Sequence, residues 1–227
     1  GTYFLIGGLS FIAKESWNGN KYQINYIKHN TAFLTDSKSN ILGRYNKIKL
    51  LLFGEYFPQI NSKLGFIKKI IPAVGDLTPG EELNLLEVKE KELRIGTLIC
   101  YEDIIPYFGR EFANKGSNLL INLTNDAWFG KSTAPYQHLL VSIPRAVETR
   151  RYFIRSTNSG VSAIISPTGL VENKSGIFTK ENLQGDVALV NSYKTLYSKV
   201  GDIFPWISLL FLVLYFFTRH LIRKYSF

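Results

Sequence analysis

The chain holds one cysteine, Cys100. It closes an apolar, β-rich run, Leu93 to Ile99, and is followed by Tyr101, Glu102 and Asp103 before a helix-like segment, Ile104 to Asn114. A cysteine so placed sits on a strand-to-helix turn. There its thiol meets the first backbone N–H groups of the helix, whose partial positive charge favours thiolate, the form that attacks carbonyl carbons. A lone cysteine after an apolar run is ordinarily core filling, so the nucleophile reading needs partners. Attack on a carbonyl calls for a cation beside the developing oxyanion. Lysines are numerous, and Lys47 and Lys49 both project from one face of a strand end, so spacing alone does not choose between them. No His/Cys/Asp/Glu spacing points to a metal site, and no cofactor is expected.

With 227 residues, 45% of them apolar, the chain can bury a sizeable core, which excludes a disordered chain. One cysteine excludes an internal disulfide. The net charge of +9 implies an anionic partner, either nucleic acid or an acidic membrane surface. The lysines are scattered and not interleaved with stacking aromatics, so nucleic acid is not expected. Methionine is absent, and Thr2 to Gly7 reads as strand in mid-domain. The expectation is a C-terminal piece of something longer.

Several elements must position the cysteine. Tyr3 to Ile6, Gln23 to Ile27, Thr31 to Leu34 and Ile41 to Lys47 have strand composition, with a polar stretch, Lys14 to Lys21, between the first two. The long segment from Tyr56 to Glu90 has three prolines and no period, which suggests a functional loop or lid. Asn118 to Asn122 reads as a buried strand, and Gln137 to Arg151 as a helix on which Arg145, Glu148 and Arg151 form an i, i+3 ion-pair ladder. Tyr152 to Ser156, Val161 to Ser166 and Asp186 to Val190 complete the strands. This alternation implies a layered α/β domain with a mixed sheet. Ile203 to Ile222 is apolar for about the 20 residues that span a bilayer and is followed by Arg223 and Lys224, so it reads as a transmembrane helix with the C-terminus cytoplasmic and the main domain outside.

Three signatures, taken in order, resemble the nitrilase (carbon–nitrogen hydrolase) superfamily: Tyr45-Asn46-Lys47 with Leu50, Phe53, Gly54 and Glu55; Ile99-Cys100-Tyr101-Glu102; and Asn122 with Asn125-Asp126-Ala127-Trp128-Phe129-Gly130. Gln137-His138, Arg145 with Glu148, and Arg155 with Asn158 and Gly160, followed by the terminal helix, narrow the resemblance to the apolipoprotein N-acyltransferases, the bacterial inner-membrane enzymes of lipoprotein maturation. The resemblance implies an α-β-β-α sandwich over residues 1–198, incomplete at its N-terminus, a transmembrane helix over 203–222 and a cytoplasmic tail over 223–227. It also implies a Cys-Lys-Glu triad. Cys100 matches the nucleophile and Lys47 the lysine; Glu55 and Glu102 match acidic residues near the family's site, in support roles. Tyr101, Trp128 and Phe129 would line an apolar mouth, while Asn125 would cap its turn or contact substrate. His138 reads as structural. The sequence departs from the family at Leu52, where proline is usual, and at Lys49, where histidine is usual. The triad's glutamate is expected on a strand end upstream of Gly1, and the chain alone is therefore expected not to turn over.

The activity so implied is transfer of a fatty acyl group from a phospholipid, through a thioester on Cys100, to the N-terminal amine of a diacylglyceryl-cysteine lipoprotein, on the periplasmic side of the bacterial inner membrane. A membrane-tethered amidase or nitrilase that uses water in place of the amine, and an inactive module that only binds lipoproteins, remain as alternatives.

Overall fold

A computed structural model describes residues 1–17, 19, 21–56, 76–191 and 193–225. Strands β1 (Tyr3–Trp17), β2 (Tyr22–Asp36) and β3 (Ile41–Asn46) form an antiparallel sheet, in the order β1-β2-β3. A second, six-stranded mixed sheet runs β4 (Leu86–Val88), β5 (Leu93–Ile99), β6 (Leu119–Asn125), β7 (Phe153–Asn158), β8 (Ala163–Ile165) and β9 (Val171–Lys174). Within it β5, β6 and β7 are parallel, and the outer pairs are antiparallel. Parallel neighbours need crossovers, and helices supply them. Helix α1 (Pro106–Asn114) joins β5 to β6, while α2 (Ala134–Ser142) and α3 (Pro144–Thr149) join β6 to β7. The short α4 (Leu196–Val200) packs against α1 and α3.

One core is shared by the layers. Ala32, Leu34 and Tyr45 of the first sheet meet Leu86, Ile95, Leu98 and Leu120 of the second and Phe108 and Phe112 of α1. Gly96 lets α1 seat closely: a Cβ there would lie 2.7 Å from Phe112 Cβ and from Leu120 Cδ2. Among the described residues the short helices group with the six-stranded sheet, and Phe4 and Ile6 of β1 are half exposed. The layered α/β architecture with a mixed sheet is the one expected.

The structure corrects several element boundaries. Gln23 to Ile27 and Thr31 to Leu34 belong to one strand of 15 residues, and β1 runs through the polar stretch to Trp17. In a ribbon of this kind the backbone ladder, continuous from Tyr3↔Asp36 to Trp17↔Tyr22, overrides side-chain polarity. Leu86–Val88 and Val171–Lys174 are strands that the sequence did not announce. Asp186 to Val190 joins no named strand, although the Val190 N–H donates to the Asn118 carbonyl. The expected helix Gln137 to Arg151 is two helices, with Pro144 opening the second because it has no N–H to give the first. Of the expected lid, residues 57–75 lie outside the described residues, as do 226 and 227 of the expected tail.

Helix α5 (Ile203–Tyr225) carries the backbone past Ile222. Over Ile203–Ile222 its mean hydropathy is 1.5 and none of it is buried against the rest of the chain. It is long and apolar enough to cross a membrane.

Candidate active site

Strand β5 delivers Cys100 to a tight elbow. Ile99 is still extended, at φ −117° and ψ 121°, whereas Cys100 turns to φ +54°, the left-handed region that side-chain-bearing residues rarely occupy. The five residues Cys100–Ile104 then form a 3-10 turn, and α1 begins at Pro106. The helix expected to start at Ile104 thus starts later, and Cys100 heads a short 3-10 turn instead of the helix itself. The cysteine is free and partly exposed, and its carbonyl accepts a 2.8 Å bond from Asn122 Nδ2 on the neighbouring strand β6.

The turn is fastened to the first sheet by Glu102, which is fully buried. Its carboxylate accepts N–H bonds from Ile48 (2.8 Å), Lys49 (2.9 Å) and Ile99 (2.8 Å), and the Tyr45 hydroxyl donates to it. Burial pushes this carboxyl up to about 7, against the pull of the three backbone N–H groups and Lys47. Glu102 therefore spans from the turn of Cys100 to the loop after β3.

That loop carries Lys47. The side chain is 1% exposed, and its ammonium donates to Glu55 Oε2 at 2.7 Å while lying 5.0 Å from the centre of the Tyr101 ring. Such a cation over an aromatic face is held electrostatically by the ring. Glu55 also accepts from Leu51 N at 2.7 Å and from Asn30 Nδ2 at 2.9 Å, so the acid is clamped by three donors from β2 and from its own loop. The Tyr101 hydroxyl donates to the Leu50 carbonyl, and burial pushes it up to about 12. Cys100, Tyr101 and Glu102 thus share one turn, which is bonded to the loop of Lys47 and Glu55.

The remaining expected residues lie on the turn after β6. Asn125 accepts from Ala127 N at 3.1 Å and so caps the 3-10 turn Asp126–Phe129. Trp128 is 81% exposed, and Phe129 sets its ring edge-on to His138. The expected ion-pair ladder is only half present. Arg145 pairs with Glu148 at 2.6 Å, but the left-handed Arg150 (φ +53°) ends the helix and turns Arg151 away to the carbonyls of Ser117, Thr149, Ala113 and Tyr193. What the sequence reading missed is a buried charged cluster: Asp103, Asp126, His138 and Arg155. Asp126, His138 and Arg155 stand in the resembling signatures, with His138 read as structural, but nothing along the sequence joins them to Asp103. Among the described residues no group of acidic, histidine or cysteine side chains has the arrangement of a metal site.

The carbon–nitrogen hydrolase family matches residues 4–195. The apolipoprotein N-acyltransferase of Geobacter metallireducens is 40% identical over 177 residues, 78% of this chain and 33% of the relative. That of Rickettsia prowazekii is 34% identical over 218 residues, 96% of this chain and 42% of the relative. The chain therefore spans a third to about two fifths of the length of these curated relatives. Among solved structures, an amidase mutant from Nesterenkonia sp. AN1, with an acetamide moiety added covalently at its active-site cysteine, superposes at a TM-score of 0.50 and 20% identity. The match covers 78% of this chain and 60% of that one, a likeness of fold. With two stacked sheets, a cysteine elbow after β5, the first of the three parallel strands, and a family match over nearly all of the body, the chain belongs to the carbon–nitrogen hydrolase family.

Proposed function

We propose that the chain carries the acyl-transfer site of an apolipoprotein N-acyltransferase. The observation that carries the reading is the elbow: a lone cysteine at φ +54°, followed by a tyrosine whose ring packs under a buried lysine. In the first half-reaction the Cys100 thiolate attacks a phospholipid ester carbonyl, forming a thioester and expelling the lysophospholipid alcohol, which takes up a proton. In the second, the α-amine of a diacylglyceryl-cysteine attacks the thioester; an amide forms, the C–S bond breaks, and the amine's proton leaves as the thiol is regenerated. A thioester survives long enough to await the second substrate and still yields to an amine. Lys47 supplies the positive charge for both oxyanions, with Glu55 fixing its ammonium. Glu102 holds the loop of Lys47 against the turn of Cys100. We assign the proton-accepting base to neither acid, since the oxygens of each already accept hydrogen bonds from the protein.

Trp128 and Phe129 give the acyl chain an apolar wall. The body over 1–198 works on the outer, periplasmic side of the bacterial inner membrane, anchored by the helix over 203–222. The polypeptide beyond Ile222 lies on the cytoplasmic side, and the phospholipid and the lipoprotein both reach the site from the membrane.

The reading is tested by intact-mass spectrometry of the full-length protein, with the glutamate expected upstream of Gly1, in phospholipid vesicles. An added acyl mass is expected on the wild type and not on Cys100→Ser. A hydroxyl is nearly isosteric with the thiol but far less acidic, so a site tuned for thiolate leaves it inert. Acyl mass that persists on Cys100→Ser refutes the assignment.

A further inference from the structure

Asp103 leaves the nucleophile's turn in the direction opposite to Glu102 and enters a closed ring of charges. His138 Nε2 lies 2.9 Å from Asp103 Oδ1, and His138 Nδ1 lies 3.0 Å from Asp126 Oδ1. Arg155 completes the ring from β7, with Nη1 on Asp103 Oδ2 and Nη2 at 3.6 Å from Asp126 Oδ2. The two aspartates and the arginine are at most 1% exposed, and the histidine is 9% exposed.

The protonation of this ring follows from its donors. A carboxylate only accepts, and a neutral imidazole carries one N–H. With both aspartates ionised opposite Arg155, two short contacts from both ring nitrogens to two carboxylates call for two N–H groups, an imidazolium. The charge also closes: two carboxylates face one guanidinium and one imidazolium, so no buried charge is left uncompensated. Removing the His138 proton would set a nitrogen lone pair against a carboxylate oxygen and leave the ring one negative charge in excess.

Position gives the ring a consequence for the site. Asp103 is three residues beyond Cys100, and Asp126 opens the turn that carries Trp128 and Phe129. We propose that His138, held as an imidazolium between Asp103 and Asp126, is a positioning residue that locks the turn of the nucleophile to the turn of the aromatic wall, and that loss of its proton releases the lock. The consequence for catalysis rests on Cys100 being the nucleophile; the lock itself does not. The groups that face His138 are Asp103 from the cysteine turn, Asp126 from the turn after β6, Arg155 from β7 and the Phe129 ring edge. Burial works to lower the histidine, as does Arg155, but the two aspartates outweigh them and raise it above its ordinary value. A base raised in this way stabilises the fold fully below the unfolded histidine value, and that contribution is lost as pH climbs through the higher folded value.

Two measurements on the 227-residue chain test this. The chain has three histidines, so ¹⁵N imidazole spectra are assigned with His29→Gln and His220→Gln, both outside the ring, and the remaining signal is that of His138. At pH 7 both of its ring nitrogens are expected at protonated shifts. A neutral tautomer there overturns the proposal. Because Cys100 is the sole cysteine, its alkylation by iodoacetamide reports the state of the turn without any acyl substrate. The rate against pH is expected to show the thiol's own ionisation and a second inflection at the NMR midpoint of His138, with the second inflection lost in His138→Gln. A wild-type profile that lacks that inflection leaves the ring a purely structural cluster and refutes the lock. Failure of phospholipid acylation would instead count against the acyltransferase reading alone.

Discussion

Replacing Glu55 by glutamine removes a charge while keeping shape and most hydrogen bonds. The amide oxygen takes the place of Oε2, where it still accepts from Lys47 and from Leu51 N. At Oε1 the new NH2 faces the Asn30 amide, which can turn over and accept. What is lost is the negative charge beside an ammonium that is 1% exposed. Removing one partner of a buried pair typically costs about 3–5 kcal/mol, because the other charge is left uncompensated. Glu55 is 16% exposed, so water screens part of this and the lower end, about 3 kcal/mol, is the expected loss. For a body of this size each kcal/mol moves Tm by about 2–4 °C, so a fall of roughly 6–12 °C is expected. Calorimetry of Glu55→Gln, Lys47→Met and the double variant closes a double-mutant cycle. With both charges gone the double variant is expected to be more stable than the sum of the single changes implies, by at least about 2 kcal/mol. A Glu55→Gln protein that melts with the wild type, with a cycle that adds to zero, would show that Lys47 is not held by this acid.

Two further outcomes follow from buried groups. Burial raises Glu102 from 4.5 to about 7; an acid raised in folding stabilises fully below its unfolded value, and that contribution disappears as pH rises toward 7, a change on the order of 3 kcal/mol. Denaturant titrations at pH 4.5 and pH 7.5 should show this loss in the wild type and a flatter response in Glu102→Gln, and equal slopes would refute the assignment. Gly96→Ala puts a Cβ 2.7 Å from Phe112 and Leu120; overpacking of this kind costs about 1–3 kcal/mol, and an unchanged unfolding midpoint would refute the close seating of α1.

The elbow was legible because its signals are local. A β-rich run that stops at a cysteine and continues as Tyr101, Glu102 and Asp103 reads as a strand followed by a turn, and the structure places both there. The membrane-length helix was legible for the same reason, since its whole signal lies in one apolar run. What escaped depends on partners distant in sequence. Leu86–Val88 is three residues with Glu87 at their centre and becomes a strand only by pairing with Leu93–Ile95. Lys14 and Glu15 look like loop residues but are held extended by Asn25 and Ile24 opposite. The ion-pair ladder failed at Arg150, where one left-handed residue redirects the chain after it. The charged ring joins residues 103, 126, 138 and 155 from four elements, and no spacing along one element encodes such a meeting.

Cys100 in the left-handed region costs on the order of 1–2 kcal/mol and persists only where its surroundings over-determine it. Three residues do so here, two of them consecutive. Asn122 holds the Cys100 carbonyl from β6, Glu102 reaches up to the backbone of Ile48 and Lys49, and Asp103 reaches the other way, to His138 and Arg155. An elbow tied from one side would relax by rotating about the strand; one tied on opposite sides by adjacent residues cannot turn toward either without stretching a bond to the other. Buried carboxylates at 102 and 103 are costly taken singly, since each must be desolvated. Together they fix the backbone of the turn that carries the thiol, so the chemistry proposed for Cys100 and the strain of its backbone have the same structural cause.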